Sequence, residues 1–155
     1  FAIMGSVYAQ QILGIENPKV GLINLGEEEG KGNILAQATY PLLKENKHIH
    51  FIGNIEGRDV LTGKADVMVC EGFTGNIILK MAESLYDISQ ERKLEDAYFN
   101  RFNFENYGGT PVLGVAKPVI IGHGISGAKA FMNMIRLAQL MLGKNVMEKM
   151  KEELA

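Results

Sequence analysis

Short apolar runs alternate along this chain with longer stretches of helical period. Residues 20–25 are almost continuously apolar and predict a strand buried on both faces. Residues 49–53 and 66–70 read the same way, and Pro118 opens a further strand that ends near Ile121. Between them lie helical patterns. Residues 1–13 put Ile3, Val7 and Gln11 on successive turns, and Asn17-Pro18 breaks the run. Residues 32–46 carry Ile34, Leu35, Ala38 and Leu42 at helical spacing, with Pro41 expected to kink the element. Residues 74–88 align Ile77, Ile78, Met81 and Leu85 in a stripe suited to packing on a sheet. Residues 127–142 do so with Phe131, Met134, Ile135, Ala138, Met141 and Leu142. Gly143 is expected to end that helix, and residues 145–154 predict a final short one.

Strands that alternate with helices predict a layered α/β fold with a mostly parallel sheet and right-handed crossovers. Residues 54–59 read as a polar loop, and residues 107–111 (Tyr-Gly-Gly-Thr-Pro) as a turn cluster. Residues 87–106 have mixed charge and predict a short helical arm. Residues 1–155 are expected to form a single α/β unit.

Three strands run straight into glycine-rich corners. The first leads to Gly26-Glu27-Glu28-Glu29-Gly30-Lys31-Gly32-Asn33, the second to Glu71-Gly72-Phe73-Thr74-Gly75-Asn76, the third to Gly122-His123-Gly124-Ile125-Ser126-Gly127. A helix that starts at such a corner offers unpaired backbone N–H groups beside residues without bulk, a seat for an anion. The pattern predicts one site at the C-terminal edge of the sheet.

Composition changes this picture little. The hydrophobic fraction of 46% is that of a globular protein, and the formal net charge of −2 gives no global case for nucleic acid. Cys70 is the single cysteine, so no internal disulfide forms, which fits a reducing cytoplasm. No apolar run approaches membrane-spanning length. The first residues already look helical and lack an initiator Met, so the chain is expected to be part of a longer one.

Several side chains at the corners have chemical potential. Lys31 would complement a phosphate or a developing oxyanion, or would merely balance Glu27, Glu28 and Glu29. Asn76 would grip a carbonyl or phosphate oxygen, or serve as a first-turn helix residue. Gly72 and Gly75 would admit close approach of a ligand to the backbone. His123 would act as a general base or bond to backbone. Cys70 would be an acyl-accepting nucleophile or a small buried hydrophobe. Glu27, Glu29, Glu56, Asp59, Asp66 and Glu71 match no dedicated metal spacing, so no metal is assigned. Neither Walker nor dinucleotide fingerprints occur.

Taken together, the motifs carry a resemblance. Residues 20–33, Phe51-Ile52-Gly53-Asn54-Ile55-Glu56-Gly57-Arg58-Asp59, Cys70 to Asn76, Tyr107-Gly108-Gly109-Thr110-Pro111-Val112-Leu113-Gly114, and Ile121-Gly122-His123-Gly124 resemble, in order, the signatures of the bacterial phosphate acyltransferase PlsX family. Family members are roughly twice as long, and this chain is similar to their C-terminal half. The resemblance implies a three-layer αβα sandwich similar to isocitrate and isopropylmalate dehydrogenases and to phosphotransacetylases. It implies transfer of a fatty acyl group from acyl carrier protein to inorganic phosphate, giving acyl phosphate for phospholipid synthesis, without a cofactor. It implies a homodimer, cytoplasmic, with a peripheral membrane contact.

Lys31 and Asn76 fall on the positions assigned to catalysis. Gly26, Glu27, Asn54, Gly72, Thr74, Gly75, His123, Gly124 and Ser126 are assigned to phosphate and substrate. Two departures stand out. Glu71 occupies a position where family members often have Asp, and residues 87–106 are shorter and more charged than the family's hydrophobic hairpin. The alternatives are a phosphate acetyl- or butyryltransferase using coenzyme A thioesters, and a non-catalytic piece that binds acyl carrier protein.

Overall fold

The computed structural model describes all residues, 1–155. The chain gathers into two compact units, residues 1–70 with 144–155 and residues 71–143. This is a finer division than the single α/β unit expected from sequence.

The first unit is built on a three-stranded parallel sheet in the order β2-β1-β3. Its strands are β1 (Lys19–Ile23), β2 (His50–Ile55) and β3 (Val67–Val69). Val20 pairs with both Phe51 and Val67, which places β1 in the centre. That position explains its buried Val20 and Leu22. Helix α1 (Ala2–Tyr8) continues into a π-helical turn (Ala9–Leu13) and ends at Gly14. It packs on β3 and on α6 (Val146–Leu154). The approach to β3 is close, because a Cβ on Gly5 would lie 2.7 Å from a Val67 methyl. Ala2, Val7, Ala9, Val20, Leu22, Ile55, Ala65, Val146 and Met150 are the buried apolar residues that result.

Helix α2 (Ile34–Glu45) crosses from β1 to β2 and runs through Pro41 without ending there. The Asn33 side chain caps it by accepting the Ala36 N–H at 2.8 Å. No α2 residue is fully buried, and Ile34, Leu35 and Leu42 of its predicted stripe face outward.

In the second unit α3 spans Gly72–Glu91, longer at both ends than the predicted 74–88. The predicted arm therefore begins only after Glu91. It consists of α4 (Ala97–Asn100) and a 3₁₀ turn (Phe104–Asn106). Tyr98 packs edge to face on Phe99 and Phe102, with ring centroids 5.7 and 5.5 Å apart. Strands β4 (Gly109–Val112) and β5 (Val119–Gly122) form an antiparallel ribbon on which α5 (Ala128–Gly143) packs.

Two expectations change here. The turn cluster at 107–111 supplies all of β4 except Val112, with Pro111 in a two-stranded ribbon that has no partner requiring its missing N–H. The strand before His123 belongs to this ribbon and not to the parallel sheet. The third glycine corner therefore follows a strand of the ribbon. A two-stranded ribbon needs support from elsewhere. Met134 of α5 supplies it, its sulfur lying where a Cβ on Gly109 or Gly122 would come within 3.0–3.1 Å.

Only part of each predicted stripe is covered. On α5, Ala130, Met134 and Met141 are buried, while Phe131 and Ile135 are 58% and 61% exposed. On α3, Ile77 and Met81 are likewise more than half exposed. The helical period was right, but the apolar arc is wider than the surface that covers it.

Candidate functional site

The acidic corner of the first unit is a clamped loop. The Asn24 N–H, just past β1, donates to the Ile55 carbonyl of β2 at 2.8 Å. The Asn24 side chain accepts the Leu25 N–H at 2.8 Å and donates to the Lys31 carbonyl at 2.9 Å. Buried Asn54, at the end of β2, donates to the Glu28 carbonyl at 2.9 Å, and that same carbonyl accepts the Lys31 N–H at 3.1 Å. The Asn54 Oδ1 is buried without a hydrogen-bond partner.

Two of the loop's three carboxylates are also engaged. Lys64 Nζ bridges Glu27 at 2.5 Å and Asp59 at 3.0 Å, and Lys44 Nζ holds Glu29 at 2.9 Å. The Glu27 and Asp59 hydrogen bonds raise the Lys64 pKa, and Glu29 raises that of Lys44. Asp59 is held below its ordinary value, first by the Glu56 N–H and then by Lys64. The lysines that neutralise Glu27 and Glu29 are thus Lys64 and Lys44, not Lys31. The exposed Lys31 lays its stem over buried Gly26, where a Cβ would come within 3.1 Å of its Cγ.

The second corner departs from the anion seat expected of it. Glu71 is the N-cap of α3, and its carboxylate accepts the N–H groups of Phe73 (2.6 Å) and Thr74 (2.8 Å) and the Thr74 hydroxyl. Those bonds, the hydroxyl's first, lower the Glu71 pKa. The Gly75 N–H donates to the Glu71 carbonyl at 3.0 Å. The chain's own carboxylate fills the helix terminus, so the backbone at Thr74 and Gly75 has no donor to spare for phosphate. Gly72 stands in open space. Asn76 belongs to the second turn of α3, not to its start.

Asn76 faces a cavity of about 440 Å³ contained within the second unit. Lys80 and Glu83, on the same face of α3, line it and pair with each other at 2.7 Å. Its other walls include Phe104, Tyr107, Thr110, Ile121 and His123. The His123 imidazole stacks on the Phe104 ring at 4.8 Å between centroids. The Ser126 N–H closes a turn on the His123 carbonyl at 2.9 Å, while its Oγ is buried without a partner. Gly124 stands in open space. Cys70, half-buried just after β3, is in no disulfide.

The structure therefore brings Asn76 and His123 to one cavity, and Gly26, Glu27, Lys31 and Asn54 to one loop. Sequence reading missed Lys80 and Thr110 on the cavity and Asn24 in the loop. Lys80 was findable, because it lies one helical turn beyond Asn76. Thr110 was hidden by the misread turn cluster.

These features define a class: an α/β protein with a hydrogen-bonded, lysine-bearing loop beside its central strand and an amide–imidazole cavity in a second unit. The comparisons make the class specific. The sequence matches the family described as fatty acid synthesis protein over residues 1–94 and 88–149. It is 50% identical to a phosphate acyltransferase of Aquifex aeolicus over 89% of this chain and 46% of the relative. It is 44% identical to phosphate acyltransferases of Dictyoglomus turgidum, over 99% of this chain and 52% of the relative, and of Crocosphaera subtropica, over 97% and 49%. The chain belongs to the fatty acid synthesis protein (PlsX) family.

It spans about half the length of the curated relatives it matches. The two matched stretches meet at residues 88–94, where α3 ends. The alignment with the Dictyoglomus relative extends over 173 positions, more than the 155 residues of this chain, so that relative carries residues this chain lacks. No helix is long and apolar enough to cross a membrane.

Proposed function

We propose that this chain is the C-terminal half of a phosphate acyltransferase that moves a fatty acyl group from acyl carrier protein to inorganic phosphate. A phosphate oxygen attacks the thioester carbonyl carbon, the C–S bond breaks, and the carrier's thiolate leaves with its electron pair. The product is acyl phosphate, a precursor for phospholipid synthesis. No cofactor enters this balance. The complete protein is proposed to be a cytoplasmic homodimer with the αβα architecture of isocitrate and isopropylmalate dehydrogenases. Its peripheral membrane contact is assigned to Tyr98, Phe99 and Phe102 of the arm.

The observation that carries this reading is the ion pairing of the acidic loop. Glu27 and Glu29 are satisfied by Lys64 and Lys44, and Lys31 forms no ion pair with the remaining Glu28, so its ammonium is open to an external anion. Lys31 is assigned to phosphate and to the charge that develops on it. Asn76 is assigned to the thioester carbonyl oxygen, with His123 beside it in the cavity. Because Glu71 occupies the α3 terminus, phosphate contact falls to side chains and not to the helix N–H groups at Thr74 and Gly75.

In the full-length protein Lys31→Ala and Asn76→Ala are each expected to lower acyl phosphate formation about 100-fold or more with the fold intact. Near-normal turnover in both sinks the assignment. Cys70→Ala is expected to retain appreciable activity, and its complete loss in a folded protein would point to a covalent acyl-enzyme. Acyl-carrier and coenzyme A thioesters assayed side by side identify the donor.

A further inference from the structure

The Lys31 loop is closed at its mouth by a single side chain. Asn24 is anchored to β2 through its own N–H, and its amide spans from Leu25, where the loop begins, to Lys31, where it ends. The Lys31 backbone is thereby held on both sides, its N–H by the Glu28 carbonyl and its carbonyl by Asn24 Nδ2. The chain leaves the loop beneath this amide at Gly32, whose φ is +96°. A Cβ there would come within 2.9 Å of the Asn24 amide nitrogen, so only glycine fits both the backbone angle and the space.

Beyond Gly32 the chain is fixed at once. Gln37 donates to the Gly32 carbonyl at 2.9 Å, and Asn33 caps α2. No ion pair aims the Lys31 side chain, so its direction depends on this backbone clamp and on the contact of its stem with Gly26.

We infer that Asn24 is a positioning residue for phosphate: its amide fixes the Lys31 backbone so that the ammonium is held ready for the anion. The inference rests on the reading of Lys31 as the phosphate-binding cation. A side-chain cation that must be located at the moment of binding loses part of its value to conformational entropy, whereas one on a preformed loop does not. Asn24 thus acts through Lys31 and touches no substrate itself. The arrangement also gives a reason for an amide in the otherwise apolar sequence of residues 20–25. Valine or leucine there would continue the apolar pattern but leave the Lys31 carbonyl without its side-chain donor.

The test uses Asn24→Ala and Asn24→Asp in the full-length protein, with inorganic phosphate as the varied substrate. Asn24→Asp keeps the shape and the acceptor for the Leu25 N–H but removes the donor to the Lys31 carbonyl. Both variants are expected to raise the KM for phosphate about 10-fold or more, with the thioester KM unchanged. Loss of folded enzyme alone would lower kcat and leave both KM values where they were. An unaltered phosphate KM in Asn24→Asp overturns the inference, including where Asn24→Ala does not fold. Lys31→Ala, run alongside, separates the two readings. If Lys31→Ala has normal turnover and phosphate KM, the catalytic assignment of Lys31 fails. If Lys31→Ala is impaired and Asn24→Asp is normal, only the role of Asn24 fails.

Discussion

A glycine means different things at different points of this chain. At Gly108 φ is +87° and a Cβ would lie 2.6 Å from the Met134 backbone nitrogen, so the residue lets α5 approach the ribbon. At Gly124 the backbone is ordinary and nothing lies within 4 Å of the Cβ position. Gly108→Ala is therefore expected to cost more than about 1 kcal/mol of stability, and Gly124→Ala to change it by less than about 0.5 kcal/mol. Urea unfolding of the two variants measures the difference, and equal midpoints would contradict it. The same contrast bears on the site. Gly26 accommodates the stem of Lys31, whereas Gly72 has open space around it. Sequence alone ranked these glycines together, because the neighbour that gives each its role is distant in the chain or points the other way.

Among the elements, α5 separates what periodicity fixes from what it leaves open. Met134 and Ile135 both belong to the predicted stripe, yet Met134 is buried against the ribbon and Ile135 is 61% exposed. Met134→Ala is expected to cost about 2–5 kcal/mol, and Ile135→Ala about 0.5 kcal/mol or less. Comparable losses measured by urea unfolding would mean that the stripe is covered more fully than this. Most elements were legible within a few residues of their ends, because period, proline and capping side chains are local signals. Those that were misread, the strand at 109–112 and the start of α3 at Gly72, depend on partners. Gly109 and Pro111 become strand residues only because Gly122 and Ile120 pair with them. Glu71 reads as one more acidic residue until its carboxylate is seen to turn back on Phe73 and Thr74.

At the scale of the molecule, the ionisable groups with shifted titration, apart from Tyr8, are two carboxylates moved down and two lysines moved up, all away from neutrality. Glu71 and Asp59 titrate below their ordinary values of 4.5 and 3.8. Their contributions are present above those values and are lost as pH falls through the folded-state values. Lys44 and Lys64 titrate above their ordinary 10.5, so theirs are present below 10.5 and are lost as pH rises through the raised values. The urea midpoint is therefore expected to hold between about pH 5 and 10 and to drop on either side. A main transition near pH 6–7 would instead implicate a histidine. Apolar residues of α2, α3 and α5 remain uncovered in the same chain, which spans about half of its curated relatives. Exposed apolar faces of this extent are unusual for a self-sufficient monomer.

The amino-acid sequence by itself determined the α/β class, the helices and most strands, and the two corners that hold Lys31 and Asn76. Each of these is encoded by hydrophobic period and by turn residues within about a dozen positions, which is the range of local physics. Only the tertiary structure decided how the charges and amides pair. It gave Glu27 and Glu29 to Lys64 and Lys44, turned Glu71 onto its own helix, moved the third corner to an antiparallel ribbon and set the Asn24 amide across the mouth of the loop. Those partners lie from one turn to dozens of residues apart, and hydrogen bonds and ion pairs depend on distances that spacing along the chain does not specify.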